Sequence, residues 1–247
     1  MSTENFHVIL SRPFTADNIG SAARAIKNMG FSKLRLVSPR RNWRKRALVL
    51  ARNAGDVIAR TEVYSSLEEA VADLNWTYGT TRRDGERRGK FIAFDTFVSA
   101  ANKKASRLKI GVIFGCESKG LNNEELDCCD QLVSLPSDEI YPSLNLAQAV
   151  MVTVFSLARK RPDGSSRKRE SESAEQSILD KAGTQSALQS FEEALKCVGF
   201  YGGKGGKLDQ IMKVTEALFK RAGMFDYEAQ MLKGISARII QRASVNK

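Results

Sequence analysis

The chain has 247 residues, 42% of them hydrophobic, which is ordinary for a globular protein with one α/β domain and a smaller second unit. With 39 Lys and Arg residues against 28 Asp and Glu residues, the formal charge is +11 and favours a polyanionic partner, although a merely soluble basic protein has the same composition. The four cysteines have neither zinc-ribbon nor disulfide-framework spacing, and no apolar stretch reaches the length of a membrane span, so we exclude those classes and expect a soluble cytoplasmic protein.

The first half of the chain alternates between predicted strands and helices. Residues 6–10 are typical of a buried strand, and residues 18–29 carry apolar side chains at helical spacing, with Asn18 suited to cap the helix and Gly30 to stop it. The elements that follow are a strand at 34–37, a helix at 47–58 with a break at Gly55, a strand at 62–64, a helix at 67–74 capped by Ser66, and a strand at 76–80. This alternation predicts a mostly parallel sheet with helices on both faces.

The second half continues this pattern to about residue 160. The predicted elements are strands at 109–115 and 131–135, a short helix from Asn123, and a long helix at 143–160. One face of the long helix is predicted to be buried through the stripe Leu144, Ala147, Met151, Val154, Phe155 and Ala158. We therefore predict a main domain at 1–160, a Pro-, Gly- and Ser-rich linker at 161–174, and a helical extension at 175–247 that binds RNA.

Three dense basic runs, at residues 40–46, 82–88 and 167–169, indicate where a polyanion would bind. Cations in surface loops neutralise phosphates, so these runs suit nucleic acid better than a small metabolite. The arginines that we expect to contact RNA in the first two runs are Arg41, Arg44, Arg82, Arg83, Arg87 and Arg88.

The usual catalytic signatures are missing from the sequence. The only histidine, His7, lies within the first predicted strand and is predicted to be a structural residue whose hydrogen bonds are satisfied. No cluster has metal-ligand spacing, and neither a dinucleotide-binding nor a P-loop glycine motif occurs, so we expect no metal. With these classes of site excluded, the sequence favours an enzyme whose cofactor brings its own activated group.

Three polar segments, at residues 18–24, 115–121 and 142–147, follow strand-like runs, which is where open α/β sheets bind ligands. Taken singly, they are typical of a capped surface helix with one exposed arginine, a tight crossover, and a capped helix start. Their residues are Asn18-Ile19-Gly20-Ser21-Ala22-Ala23-Arg24, Gly115-Cys116-Glu117-Ser118-Lys119-Gly120-Leu121 and Pro142-Ser143-Leu144-Asn145-Leu146-Ala147. Together they resemble the three signature motifs of the SpoU (TrmH) branch of the SPOUT RNA methyltransferases.

The resemblance implies a trefoil-knotted α/β fold, a homodimer with composite active sites, and S-adenosylmethionine as the cofactor. It also implies that Arg24 lies at the reacting ribose. A guanidinium is a poor proton acceptor, so orienting the ribose hydroxyl and its phosphate is the safer role for Arg24. The remaining catalytic residues that it implies are Asn18, Ser143 and Asn145. The cofactor-binding residues that it implies are Thr80, Thr81, Gly115, Glu117, Gly120, Leu135, Ser143, Leu144 and Asn145.

Residues 79–83 resemble a pattern of the TrmJ group, the tRNA cytidine/uridine 2′-O-methyltransferases. Arg83 matches the first arginine of that pattern, Arg82 replaces an alanine, and Gly85 stands in place of the second arginine. The helical extension is also similar to this group, which implies methylation of tRNA at position 32 of the anticodon loop. The alternatives are a ribosomal RNA 2′-O-methyltransferase and a knotted RNA-binding protein without catalysis.

Overall fold

The structure of the protein is a computed structural model, which describes residues 3–81, 91–138, 140–159, 178–202 and 206–245. The described residues divide into two compact units, one that ends at Arg159 and one that begins at Ile178. The predicted linker at 161–174 lies outside the described residues, and the predicted domain boundaries stay a prediction.

The first unit is built on a sheet of seven strands in the order β3-β2-β1-β6-β4-β7-β5. The strands are β1 (Phe6–Ser11), β2 (Lys33–Val37), β3 (Glu62–Tyr64), β4 (Trp76–Thr80), β5 (Phe91–Ile92), β6 (Ile110–Phe114) and β7 (Gln131–Val133). Every neighbouring pair among them is parallel, so the predicted parallel sheet is confirmed. Leu10 pairs with Leu36 on one side and with Phe114 on the other, which brings the carboxyl ends of β1, β2 and β6 to one edge.

Helices cover both faces of this sheet. They are α1 (Ala16–Asn28), α2 (Trp43–Ala51), α3 (Gly55–Ala59), α4 (Leu67–Val71), α5 (Phe94–Lys104), α6 (Asn123–Asp127) and α7 (Leu146–Arg159). Single 3₁₀ turns occupy Thr3–Asn5 and Arg52–Ala54. Side chains alternate along a strand, so Val8 and Leu10 pack into the core beneath α1 and α7, whereas Ile9 packs into the core beneath α4 and α6.

The starts of three helices differ from the prediction, and the first of these is α2, which begins at Trp43 and not at residue 47. Helix α1 begins at Ala16, and its N-cap is Thr15, whose hydroxyl accepts a hydrogen bond from the Asn18 amide at 3.3 Å. The assignment of Asn18 as the cap was therefore wrong. Helix α7 begins at Leu146 and not at residue 143, because the Asn145 side chain accepts a hydrogen bond from the Ala147 amide at 2.9 Å.

The buried face of α7 also differs from the predicted stripe, which was correct at Val154 but wrong at Phe155. Phe155 is 43% exposed, and the Arg159 guanidinium lies 5.5 Å from its ring. The buried side chains are Leu146, Ala149, Val150, Thr153, Val154 and Leu157. Helix α7 carries apolar side chains on most of its faces, so their spacing alone did not determine which of them face the sheet.

Close contact between α1 and α2 explains the glycine of the first polar segment. A Cβ on Gly20 would overlap the carbonyl oxygen of Ala47. The same pair of helices is joined by a two-pronged ion pair in which the Arg46 guanidinium donates to Asp17 at 2.6 and 3.0 Å. Gly20 therefore allows the two backbones to approach each other at this point.

The second unit consists of α8 (Lys181–Cys197), α9 (Lys207–Ala222) and α10 (Asp226–Val245), so the predicted helical extension is confirmed. Two small apolar clusters hold these helices together: Ala187, Met224 and Ala229 in one, and Leu188, Leu208 and Met212 in the other. Within the described part of the chain, no helix combines the length and apolar character that crossing a bilayer requires.

His7 lies within β1, as predicted, but its hydrogen bonds are not satisfied. It is 4% exposed, and neither ring nitrogen has a hydrogen-bond partner among the described residues. Burial, followed by the charges of Arg35 and Lys33, lowers the pKa of His7 from 6.5 to about 3.

We therefore expect stability to fall on acidification because of His7. Between pH 6.5 and 3 the unfolded chain binds a proton at this residue and the folded chain does not, so the stabilisation is complete above pH 6.5 and is lost as the pH falls. The loss approaches about 1.4 kcal/mol per pH unit, or about 2 kcal/mol by pH 5. Urea unfolding at pH 7.5 and 5.0 measures it. The His7→Leu variant should lose about 2 kcal/mol less than the wild type, and equal losses would contradict the expectation.

Candidate functional site

A cavity opens at the carboxyl edge of the sheet, between the ends of β4, β6 and β7 and the segment that precedes α7. Of the nine predicted cofactor-binding residues, eight line it, namely Thr80, Thr81, Gly115, Glu117, Gly120, Leu135, Ser143 and Leu144. The ninth, Asn145, caps α7 directly after them. The structure thus brings together residues from four places in the sequence: 80–81, 115–120, 135 and 143–145.

One wall of the cavity is a tight loop at residues 115–120. A Cβ on Gly115 would overlap the backbone of Gly120 and Leu121, and Gly120 has a φ of +66°, which favours glycine. The Gly120 amide donates to the Cys116 carbonyl at 2.9 Å and closes the loop. Both glycines are therefore needed for the shape of this wall.

The Glu117 carboxylate ties this loop to the start of α1. It accepts hydrogen bonds from the Asn18 side chain at 2.7 Å, from the Phe14 amide at 2.7 Å and from the Thr15 amide at 3.1 Å. Burial raises the pKa of Glu117, but these hydrogen bonds outweigh it and hold the pKa below its usual value. Glu117 is therefore an ionised anchor whose lone pairs are already in use, so it is poorly suited to act as a base.

Asn18 and Asn145 extend this network to the third polar segment. The Asn145 side-chain nitrogen donates to the Asn18 side-chain oxygen at 2.9 Å, while the Asn18 nitrogen donates to Glu117. Asn145 also caps α7 through its own oxygen. The three polar segments are consequently joined in one chain of hydrogen bonds. Asn18 thus serves this chain, whereas Thr15 caps α1.

Arg12 and Glu125 are structural partners of the same loop that the sequence analysis missed. The Arg12 guanidinium donates to the Glu125 carboxylate at 2.8 and 2.5 Å and to the Gly120 carbonyl at 3.4 Å, and Ser11 donates to the same carboxylate. Burial raises the pKa of Glu125, but bonds from Arg12, Ser11 and the Asn122 amide bring it below its usual value. Asn122 and Glu125 form a capping box, a spacing visible in the sequence; the pairing with Arg12 had no local signal.

Among the predicted arginines that the structure describes, Arg24, Arg41 and Arg44 do not line the cavity. Arg24 is exposed on α1 and has no hydrogen bond or ion pair with a described residue. Arg41 is exposed at a different groove, and Arg44 donates to the Ile58 carbonyl at 3.3 Å. The predicted RNA contacts Arg82, Arg83, Arg87 and Arg88 lie outside the described residues.

The cavity therefore offers backbone groups, hydroxyls and one anchored carboxylate, which can bind and orient a small polar molecule. Among the described residues, no group of three His, Cys, Asp or Glu side chains could hold a metal ion.

Comparisons with known proteins agree with this geometry. Residues 5–155 match the model of the SpoU rRNA Methylase family. A tRNA (cytidine/uridine-2′-O-)-methyltransferase, TrmJ of Escherichia coli (strain K12), is 30% identical over 246 residues, which are 99% of this chain and 98% of the relative. An uncharacterized tRNA/rRNA methyltransferase, LasT of Escherichia coli (strain K12), is 39% identical over 152 residues, which are 61% of this chain and 67% of the relative.

Two solved structures are similar over nearly the whole chain. The crystal structure of TrmJ from Z. mobilis ZM4 has a TM-score of 0.73 at 25% identity and covers 94% of this chain and 98% of its own. A probable methylase family protein from Haemophilus influenzae Rd KW20 has a TM-score of 0.62 at 28% identity and covers 100% of both chains.

Proposed function

This chain belongs to the SpoU rRNA Methylase family, and from that membership we propose that it transfers a methyl group from S-adenosylmethionine to the ribose 2′-hydroxyl of tRNA. The observation that carries the proposal is the chain of hydrogen bonds from Glu117 through Asn18 to Asn145, which joins the three polar segments, two of which line one cavity. A ligand-positioning site of this kind suits methyl transfer, because the chemistry needs alignment more than a strong acid or base.

Support for tRNA comes from the extent of the similarity. The family model ends at residue 155, whereas the match to the TrmJ relative covers 99% of this chain and so includes the helical second unit. Ribosomal RNA is the second candidate substrate. The description of the family names rRNA, and the description of LasT names both tRNA and rRNA. We also propose that the target is the cytidine or uridine at position 32 of the anticodon loop, and that the enzyme works in the cytoplasm.

The cavity fits S-adenosylmethionine. Gly115 and Gly120 let the loop close into one wall of the cavity, and Thr80, Leu135 and Ser143 offer polar and apolar contacts to a ligand beside it. When bound, the cofactor supplies an electrophilic methyl group on a sulfonium. Glu117 and the Arg12–Glu125 pair hold the loop that forms the wall.

Because Arg24 lies outside the cavity of its own chain, we propose that it acts at the cavity of a second copy in a homodimer. There it orients the ribose hydroxyl and its phosphate, which a guanidinium does through paired hydrogen bonds. Exposed apolar side chains support an interface on this unit: Phe155 is 43% exposed, Tyr141 80% and Ile140 94%. The trefoil knot expected for the family is part of the same proposal.

The proposed function is tested by cofactor binding and RNA specificity with the full-length protein. We expect calorimetry to detect binding of S-adenosylmethionine and of S-adenosylhomocysteine. With a labelled methyl donor, label should enter total tRNA and appear as a 2′-O-methylated nucleotide that resists alkaline cleavage.

Purified ribosomal RNA, incubated under the same conditions, is the specificity control. Label in ribosomal RNA but not in tRNA would replace the first candidate by the second. Folded protein that gives no heat with S-adenosylmethionine or S-adenosylhomocysteine, with or without tRNA, would contradict both candidate functions.

A further inference from the structure

A second groove lies at the same edge of the sheet, at the carboxyl ends of β2 and β3 and away from the cofactor cavity. Its walls include two arginines, Arg40 and Arg41, and two aromatic side chains, Trp43 and Tyr64. None of the described residues that line it is acidic. The groove therefore combines positive charge with flat apolar surfaces.

The groove is held in shape by hydrogen bonds across its floor. The Ser38 amide donates to the Tyr64 carbonyl at 2.9 Å, and the Ser38 hydroxyl donates to the Ser65 carbonyl at 2.8 Å. Ser38 has a φ of +45°, a conformation that L-residues rarely adopt and that clusters at functional sites. The segment that leads from β2 to α2 is thus fixed against the end of β3.

Both aromatic rings are also fixed in place. The Tyr64 hydroxyl donates to Glu62 at 2.8 Å, and the Arg35 guanidinium lies 5.5 Å from the Tyr64 ring. The Arg44 guanidinium lies 5.0 Å from the Trp43 ring. Rings that are already ordered lose little conformational entropy when a ligand packs against them.

Two contacts connect this groove to the chain of hydrogen bonds that runs through Glu117, Asn18 and Asn145. The Arg40 guanidinium lies 3.5 Å from the centre of the Phe14 ring, which is 53% exposed. The Phe14 amide in turn donates to the Glu117 carboxylate. A ligand at Arg40 is therefore adjacent to the segment that Glu117 anchors at the start of α1.

We propose that this groove binds one unpaired nucleotide of the RNA substrate, distinct from the nucleotide that is methylated. Its base packs against Trp43 and Tyr64, and its phosphate lies at Arg40 and Arg41. This inference rests on the proposed action on RNA. Aromatic surfaces bind bases irrespective of sequence, and arginines bind phosphates, so an RNA strand matches both halves of the groove, whereas an acidic peptide matches only the charge.

The two tryptophans of the chain make the groove directly observable. Trp43 lies in the groove, whereas Trp76 is 7% exposed and serves as an internal reference. We expect unmodified tRNA to quench the fluorescence of the full-length wild type. The Trp43→Phe variant should bind tRNA normally without this quenching, and Trp43→Leu should bind tRNA about five- to a hundredfold more weakly with unchanged affinity for S-adenosylmethionine.

Charge variants test the phosphate half of the groove. Arg41 is exposed, so Arg41→Gln should leave the fold intact and reduce the slope of log affinity against log salt by about one. The matched control is Arg60→Gln. It removes the same charge from an exposed arginine just before the N-terminal end of β3, away from the groove at the C-terminal end. It should change the slope less than Arg41→Gln does.

The groove assignment is overturned if tRNA binds the wild type without quenching Trp43 and the Arg41 and Arg60 variants behave alike. It is also overturned if polyglutamate displaces tRNA as well as an RNA of equal charge does. Because Trp43 also packs against the core, the Arg41 variant carries the test should the leucine variant unfold. Quenching and weakened binding in a protein that methylates no RNA would refute the proposed function and not the groove.

Discussion

Replacing Arg24 by alanine should lower the rate of methyl transfer at least about a hundredfold and leave the affinity for S-adenosylmethionine within a few-fold of wild type. The arginine is exposed and outside the cavity, so its loss removes no contact that shapes the cofactor site. Removal of one preorganised donor at a reacting oxygen typically costs 10²–10³ in rate, roughly 3–4 kcal/mol of activation free energy.

Single-turnover methylation of tRNA measures this effect, with calorimetry for the cofactor in parallel. Arg24→Lys should recover little of the rate, because an ammonium does not reproduce the paired hydrogen bonds of a guanidinium. Arg107→Ala, at another exposed arginine of the first unit, is the matched control and should methylate normally. A parallel loss of cofactor binding and rate in Arg24→Ala would make Arg24 a structural residue.

Replacing Glu117 by alanine should weaken cofactor binding and methyl transfer together, each at least about tenfold. Four donors lose their acceptor, namely the Asn18 side chain, the amides of Phe14 and Thr15, and the Thr15 hydroxyl. The amides of Phe14 and Thr15 are exposed and can bind water instead, so the expected effect is loss of the link between the loop and the start of α1, both of which should shift.

The glutamine variant separates charge from shape at this position. One oxygen of Glu117 accepts from Phe14 and the other from Asn18, and glutamine replaces one of these oxygens by an NH₂ group that faces a donor. Glu117→Gln should therefore impair both activities, whereas the matched control Glu124→Gln, at an exposed glutamate of α6, should impair neither. Normal cofactor affinity in Glu117→Ala would contradict the anchoring role.

The sequence predicted those parts of the site that depend on strand ends. Thr80, Gly115 and Leu135 meet because parallel strands finish at one edge, and apolar runs locate the strands that precede them. The choice of these three residues for a cofactor site came from the family resemblance. It did not predict how the segments are joined. Asn18 has the composition of an N-cap, and only the folded chain shows that Thr15 takes this role while Asn18 bridges Glu117 and Asn145.

Long-range side-chain pairs, one two-residue strand and the 11-residue helix α5 were not predicted from the sequence. No element was predicted between residues 81 and 108, where the structure has the two-residue strand β5 and helix α5. A two-residue strand is too short to show periodicity. The Arg12–Glu125 pair joins positions far apart in the chain, so no local window contains both partners.

The position of β6 has a consequence for the order in which the first unit can fold. This strand pairs with β1 on one side and β4 on the other, although both precede it in the chain. Until residues 110–114 leave the ribosome, β1 and β4 have no common neighbour and their inner edges are open to other strands. Pairing over such sequence separations is slow, so the growing chain passes through an incomplete sheet that is most vulnerable to aggregation just before β6 is made.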